Sequence, residues 1–229
     1  MGNSIGVLKD SIQNELLSSI FDLSQDYAEI GIDKLLDNAA FKEMPVVKTI
    51  VSLSKGALAI REIVVARKLI VFLQQFHKGL HSQSDVDKMI KNLVSDSGKR
   101  DRIIEQIIIM NERYIESKQS VVHANLLLAY LKSRLTWNEL SDLLICLDAL
   151  HPRSMDYLEQ LEKQNFVFLP ALSSSWVGSL IAVGLTLQKG PHKINELGRK
   201  LYYYGVKGDF NAVIPPIEAT SMDRLTPSN

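Results

Sequence analysis

Residues 136–150 read TWNELSDLLICLDAL. The Thr136 side-chain oxygen can accept the amide of Glu139 while the Glu139 carboxylate reaches back to the Thr136 amide. Two backbone donors that a helix start leaves open are thereby satisfied at once. This capping box is the sharpest start signal in the chain, and its helix runs to about Ala149. Upstream of it the pattern is helical throughout; downstream the texture changes. The boundary is therefore drawn at Ser133 to Thr136, with a helical bundle over residues 1–135, a smaller module over 136–205 and a loosely ordered tail over 206–229.

Before the boundary, apolar residues Ile5, Leu8, Ile12, Leu16, Ile20, Leu23, Tyr27 and Ile30 recur at three- and four-residue steps. That spacing puts them on one face of a helix over residues 4–30. A short helix over 32–41 follows Gly31. Pro45 suits a first helical turn, where its missing N–H would be unpaired anyway. From Val46 to Phe76 the chain is apolar over most of a helical circumference, with Gly56 as a point of interruption. Such a helix is either the buried centre of a bundle or one that seeks a membrane or partner. Ser84 can cap a helix over 85–94. Ser95-Asp96-Ser97-Gly98 is a turn, and a long helical run over 99–134 is expected to break near Ser117 to Ser120.

After the boundary, His151-Pro152 opens a helix ending near Gln164. Phe166-Val167-Phe168-Leu169-Pro170 reads as an extended segment. Ser173-Ser174-Ser175 can cap a short apolar helix over 176–183. Residues 185–194 read as a β-hairpin with a Gly190-Pro191 turn, and Asn195 can cap a last helix through Tyr204. Beyond Gly205 few side chains could anchor the chain. The fold class is mainly α: a helical bundle followed by an α+β module with one small hairpin.

That order of elements, together with Lys193-Ile194-Asn195-Glu196-Leu197-Gly198-Arg199-Lys200-Leu201 and Leu180-Ile181-Ala182-Val183-Gly184-Leu185, resembles bacterial winged-helix domains. In them a capped helix with a Leu-Gly-Arg-like start follows the wing. The resemblance covers residues 136–205. It implies a recognition helix over 174–183, but Ser174 to Val183 contains no Lys, Arg, Asn or Gln to read base edges. Lys189, Lys193, Arg199 and Lys200 remain as candidate phosphate contacts for a DNA-binding regulator. The front half, through Met44 to Val51 and Ala66 to Leu69, resembles helical regions of bacterial proteins associated with prophages and anti-phage (antiviral) defence.

Composition bounds the function. Hydrophobic residues make up 46% and charged residues 23%, enough apolar material for a packed core. The 26 basic residues balance 26 acidic ones, so no global charge argues for nucleic acid or an anionic membrane. The single cysteine, Cys146, lies in an apolar run and reads as a small buried hydrophobe in a reducing compartment. No basic n-region or long uncharged apolar stretch is visible, so a cytoplasmic location is expected, with the inner membrane face as the alternative. Gly6 stands where a myristoylation signal would want Ser or Thr.

Charge is segregated locally: residues 1–43 carry eight acidic and three basic groups, and 44–78 carry six basic and one acidic. Adjacent helices of opposite sign would pack together. Otherwise the helix over 45–78, through Lys48, Lys55, Arg61, Arg67 and Lys68, would dock on a membrane surface or a partner helix.

No reactive constellation emerges. His77 and His81 lack the glutamate of a zinc-protease helix, and His123, His151 and His192 are scattered. No nucleophile elbow or phosphate loop occurs, and Tyr202-Tyr203-Tyr204 point in different directions on a helix. The expectation is a non-enzymatic macromolecule-binding protein without cofactor or metal. A protein partner is expected at Trp176, Val177, Leu180 and Ile181. The alternatives are a membrane-acting defence effector and a winged-helix regulator that binds nucleic acid.

Overall fold

The computed structural model describes residues 2–17, 45–53, 60–80, 96–164, 175–186 and 194–214, with residues 87 and 91. Their architecture is mainly helical: α1 (Gly2–Leu17), α2 (Pro45–Leu53), α3 (Ile60–Lys78), α4 (Ser97–Arg113), α5 (Ser117–Leu131), α6 (Trp137–Ala149), α7 (Ser154–Gln164), α8 (Ser175–Ala182) and α9 (Glu196–Lys200), which continues into a π-helical turn, Leu201–Val206. Among the described residues there is no strand. An isolated antiparallel bridge joins Thr186 to Ile194, and the expected Gly190-Pro191 turn lies outside the described residues. So do the expected helices over 18–30 and 32–41, the interruption at Gly56, the Ser84 cap and the extended segment over 166–170.

The caps show why several boundaries fall where they do. Thr136 accepts the Glu139 amide at 3.3 Å, and the Glu139 carboxylate accepts the Thr136 amide at 2.7 Å. Asn195 caps α9 by accepting the Gly198 amide at 2.8 Å. The long run expected over 99–134 breaks earlier than Ser117, at Tyr114 to Glu116. There Gln119 folds back to accept the Ile115 and Glu116 amides at 2.9 and 3.1 Å. Asp96 caps α4 through the Lys99 amide at 3.0 Å.

The core centres on α5, not on the stretch over 46–76. From Gln119 to Ala129, α5 is buried except at Val121, and α3 packs along it. α3 buries Ala66, Leu69, Phe72, Leu73 and Phe76, but its first turns are exposed. One continuous apolar core runs from Ile12 through Ile107, Leu126, Leu143 and Leu158 to Leu201, crossing the Ser133–Thr136 junction without a gap. Where a loose tail is expected, residues 206–214 lie against that core through Val206, Phe210, Ala212 and Ile214. Lys132 sits 4.8 Å over the Phe210 ring.

Two backbone positions are tightly specified. Gly198 faces the Leu185 carbonyl so closely that a Cβ would stand 2.3 Å from its oxygen and 2.6 Å from Ile194 Cγ1. Only glycine lets α9 close on the bridge residues, which accounts for the Leu-Gly-Arg start. At the end of α5, Ser133 has φ +59°, its amide bonds to the Tyr130 carbonyl at 2.9 Å, and the Arg134 amide bonds to the Ala129 carbonyl at 2.8 Å. That pair of bonds is a Schellman turn with serine where glycine is usual. A side chain in this left-handed conformation costs about 1–2 kcal/mol, against which glycine's extra unfolded-state freedom is set. Ser133→Gly is therefore expected to raise the unfolding free energy by about 1 kcal/mol. Urea denaturation checks this, and an unchanged or lower midpoint would show that the turn is not strained.

Candidate interaction surfaces

The residues expected to meet a protein partner lie on or beside α8. Trp176 is 37% exposed and stands edge-on to Tyr157, ring centroids 6.2 Å apart. Its carbonyl accepts the Ser154 hydroxyl at 2.7 Å. Leu180 does not face solvent: it is fully buried in the core, and Ile181 is half-buried. The apolar spacing of α8 thus serves mainly to seat it, with Ser179 Oγ accepting the His151 amide at 2.9 Å as a further tie. The Val177 side chain lies outside the described residues.

Of the candidate phosphate contacts, Lys189 and Lys193 lie outside the described residues. The other two are engaged within the protein. Arg199 pairs with Glu162 at 3.3 Å, and Lys200, 17% exposed, bridges Glu139 at 2.6 Å and Glu196 at 2.5 Å. Lys200 holds the Glu139 carboxyl down to about 2, with help from the Thr136 amide. Burial pulls the Lys200 ammonium down, but its two carboxylate partners outweigh it and hold it above the ordinary lysine range. Tyr202 and Tyr204 are buried, and the Tyr203 hydroxyl donates to Glu162 at 2.9 Å. These tyrosines tie the π-helical turn to the core and to α7 instead of offering stacking faces.

The basic residues over 45–78 do not form one face. Lys48 is exposed on α2, Arg61 is exposed and ion-paired with Glu112, Arg67 is half-buried, and Lys55 lies outside the described residues. Lys68 is buried: its ammonium donates to the Tyr114 carbonyl at 2.5 Å and the Glu112 carbonyl at 3.3 Å. Those carbonyls close the negative end of α4, where a cation is favoured. Burial lowers the Lys68 ammonium, and Glu112 acts in the opposite sense. Among the described residues no helix is long and apolar enough to cross a membrane.

His77 and His123 are interior groups, whereas His151 is exposed and His81 and His192 lie outside the described residues. His77 Nε2 lies 3.0 Å from the Glu15 carbonyl oxygen, and burial lowers its pKa against that bond. His123 is 1% exposed between the Phe72 and Tyr114 rings, and burial lowers it to about 3. The Cys146 thiol is buried, donates to the Val183 carbonyl at 3.2 Å and is pushed up by burial, away from the reactive thiolate. Among the described residues no three His, Cys, Asp or Glu side chains stand together as metal ligands.

A surface not singled out by the sequence pattern lies on the bundle. A groove of about 300 Å³ opens between α1, α2, α3 and α4, lined by Leu8, Ile50, Leu53, Val65, Ile108 and the Arg61–Glu112 pair. Val7, Ile60, Val64 and Ile109, each one position from a lining residue, are exposed, Ile60 to 83%. Neighbours on a helix are turned by about 100°, so these side chains lie on the helix faces next to the groove. The sequence signal was the wide apolar circumference of residues 46–76, but four helices must come together before its unburied part is defined.

Comparison with protein-family models, with curated proteins and with solved structures finds no match to this chain.

Proposed function

We propose that this chain is a non-enzymatic protein-interaction module whose working surface is the apolar groove between α1, α2, α3 and α4. The observation that carries this reading is the exposure of Ile60, Val64, Val7 and Leu53 around that groove, in a chain that otherwise buries a continuous core. Contiguous apolar surface left in water marks an interaction site. The occupant is a second copy of the same chain. Arg61 faces Glu112, and Lys9 pairs with Glu105 at 3.5 Å, so the helices around the groove carry both signs in matched pairs. A two-fold arrangement brings the same patch of two copies together, and because these rim charges are already paired within each chain, neither sign is left in excess to repel the other copy. The zero net charge of the chain raises no long-range barrier to self-association.

In this reading residues 136–205 form a winged-helix-like module that buttresses the bundle. Among the described residues the module has one isolated bridge, Thr186–Ile194, and no hairpin, and the Asn195 cap and the fit of Gly198 under Leu185 tie α9 to that bridge. The engagement of Arg199 and Lys200 in ion pairs favours a structural role over phosphate contact.

Sedimentation velocity across a concentration series tests the proposal. The wild-type chain is expected to sediment as a dimer at tens of micromolar, and Ile60→Asp with Val64→Asp as a monomer with an unchanged far-UV circular dichroism spectrum, since both side chains are exposed. A wild-type chain that stays monomeric at every concentration overturns the self-partner. Flotation with anionic vesicles, abolished by the same double variant, would replace the protein partner by a membrane surface.

A further inference from the structure

We infer that, in the self-association proposed above, Arg67 of each copy pairs with Glu62 of the other, so that two ion pairs related by the two-fold axis set how the copies dock. The inference rests on that reading of the groove and adds to it the charged contacts that make the surface selective.

Two groups of opposite sign on α3 stand without a partner. Glu62 lines the groove, half-buried, and its Oε2 is buried with no hydrogen-bond partner among the described residues. Its place in the first turn of α3 favours negative charge but supplies that oxygen no donor. Arg67 is also half-buried, and its Nε is buried with no acceptor among the described residues. The charges around them are engaged: Arg61 pairs with Glu112, Lys9 with Glu105, and Lys68 donates to the Glu112 and Tyr114 carbonyls. Each copy therefore carries one acid and one base that its own chain leaves unpaired on this helix.

The two cannot satisfy each other within one chain. Five positions along an α-helix turn a side chain by about 140° net, so Glu62 and Arg67 point to different sides of α3. Residues three or four apart share a face, which sets Arg67 beside Val64 and Val64 beside Ile60. The exposed apolar side chains that cover the partner's groove thus carry Arg67 with them, and the groove they enter holds Glu62. A two-fold operation makes the contact reciprocal, so both copies are completed at once.

The energetics favour this occupant over an uncharged one. A carboxylate and a guanidinium that lose further water on association, without each other, oppose it. Paired, the guanidinium presents parallel N–H donors to the carboxylate oxygens.

Complementary charge reversal of the full chain tests this, by sedimentation velocity at tens of micromolar. Glu62→Lys and Arg67→Glu are each expected to sediment alone as monomers, because either homodimer sets like charges together twice. Their equimolar mixture is expected to sediment as a dimer: one contact keeps Arg67 against Glu62, and the other sets the new lysine against the new glutamate. A role confined to each residue's own chain would not be restored by mixing. Far-UV circular dichroism checks that both variants fold. If charge reversal unfolds either, Glu62→Gln, Arg67→Gln and the double variant decide. Each single is expected to raise the dimer Kd by about tenfold, and the double by no more, since one substitution already breaks both contacts. A wild-type dimer whose mixed variants stay monomeric overturns the pairing alone. So do reversed variants that dimerise as the wild type does, or a Glu62→Gln chain that dimerises more tightly. A wild-type chain that is monomeric at every concentration overturns the self-partner reading and this pairing with it.

Discussion

Replacing His123 with phenylalanine is expected to flatten the dependence of stability on pH between about 6.5 and 5. In the folded chain the imidazole is 1% exposed, 4.9 Å from the Phe72 ring and 5.8 Å from the Tyr114 ring, and burial lowers its pKa to about 3. In the unfolded chain it titrates near its ordinary value of 6.5. Across that window the unfolded state binds a proton that the folded state refuses. Stability is therefore full above pH 6.5 and falls as the pH drops, by about 1.4 kcal/mol per unit from this group alone. By pH 4.5 the loss reaches about 2–3 kcal/mol, a large share of a typical total.

Other groups act in the same range and must be separated. His77 is lowered by burial and adds a loss of the same sign. Glu15, raised by burial, acts oppositely: its folded form takes up a proton sooner, so it gains stability as the pH falls toward 4.5. Glu139 enters only below 4.5, where its folded value of about 2 makes protonation costly. Urea unfolding at half-unit pH steps, wild type against His123→Phe, isolates the one group. Should the larger ring strain the site, His123→Leu serves equally. Parallel curves for wild type and both variants would mean that the buried imidazole takes its proton in the folded state, and the account of this core is then mistaken.

The same residue shows what a sequence pattern can and cannot carry. The Thr136 and Asn195 caps were legible because each rests on partners within four residues. The centre of the bundle was not. Residues 46–76 look more apolar than α5, which carries Gln119, His123 and Asn125 among its apolar residues. They are buried because their partners are distant in sequence: Gln119 donates to the Leu147 carbonyl at 3.0 Å, and Asn125 reaches Gly205. The basic residues after the bridge looked free for the same reason, since Glu162 and Glu139 lie 37 and 61 positions from their partners. The candidate surface is likewise assembled from separate elements. Leu8, Ile50, Val65 and Ile108 carry no local sign that together they leave a groove.

Asn125→Leu is expected to cost about 3 kcal/mol. The Asn125 amide nitrogen donates to the Gly205 carbonyl at 2.8 Å, and its oxygen accepts from Gln75 Nε2 at 2.8 Å. One side chain, 3% exposed, thus ties α5 both to α3 and to the π-helical turn. Leucine keeps the volume but strips both bonds and leaves the Gly205 carbonyl without its donor. An orphaned buried group costs about 1–3 kcal/mol, beyond the smaller net value of a bond removed cleanly. The local geometry prevents escape: a Cβ on Gly205 would stand 2.9 Å from Val122 Cγ1, and on Gly208 3.3 Å from Asn125 Nδ2, so the turn cannot slide to find another partner. A double-mutant cycle with Gln75→Leu separates the two bonds. The pair should cost less than the sum of the singles, because removing both members of the Gln75 bond leaves no unpaired amide on that side. The cost that persists in the double variant belongs to Gly205. Hydrogen exchange reads it directly, as faster exchange of the amides over 201–207 with α3 unaffected. Additive single costs, or an Asn125→Leu chain as stable as wild type, would show that packing alone holds this turn against α5.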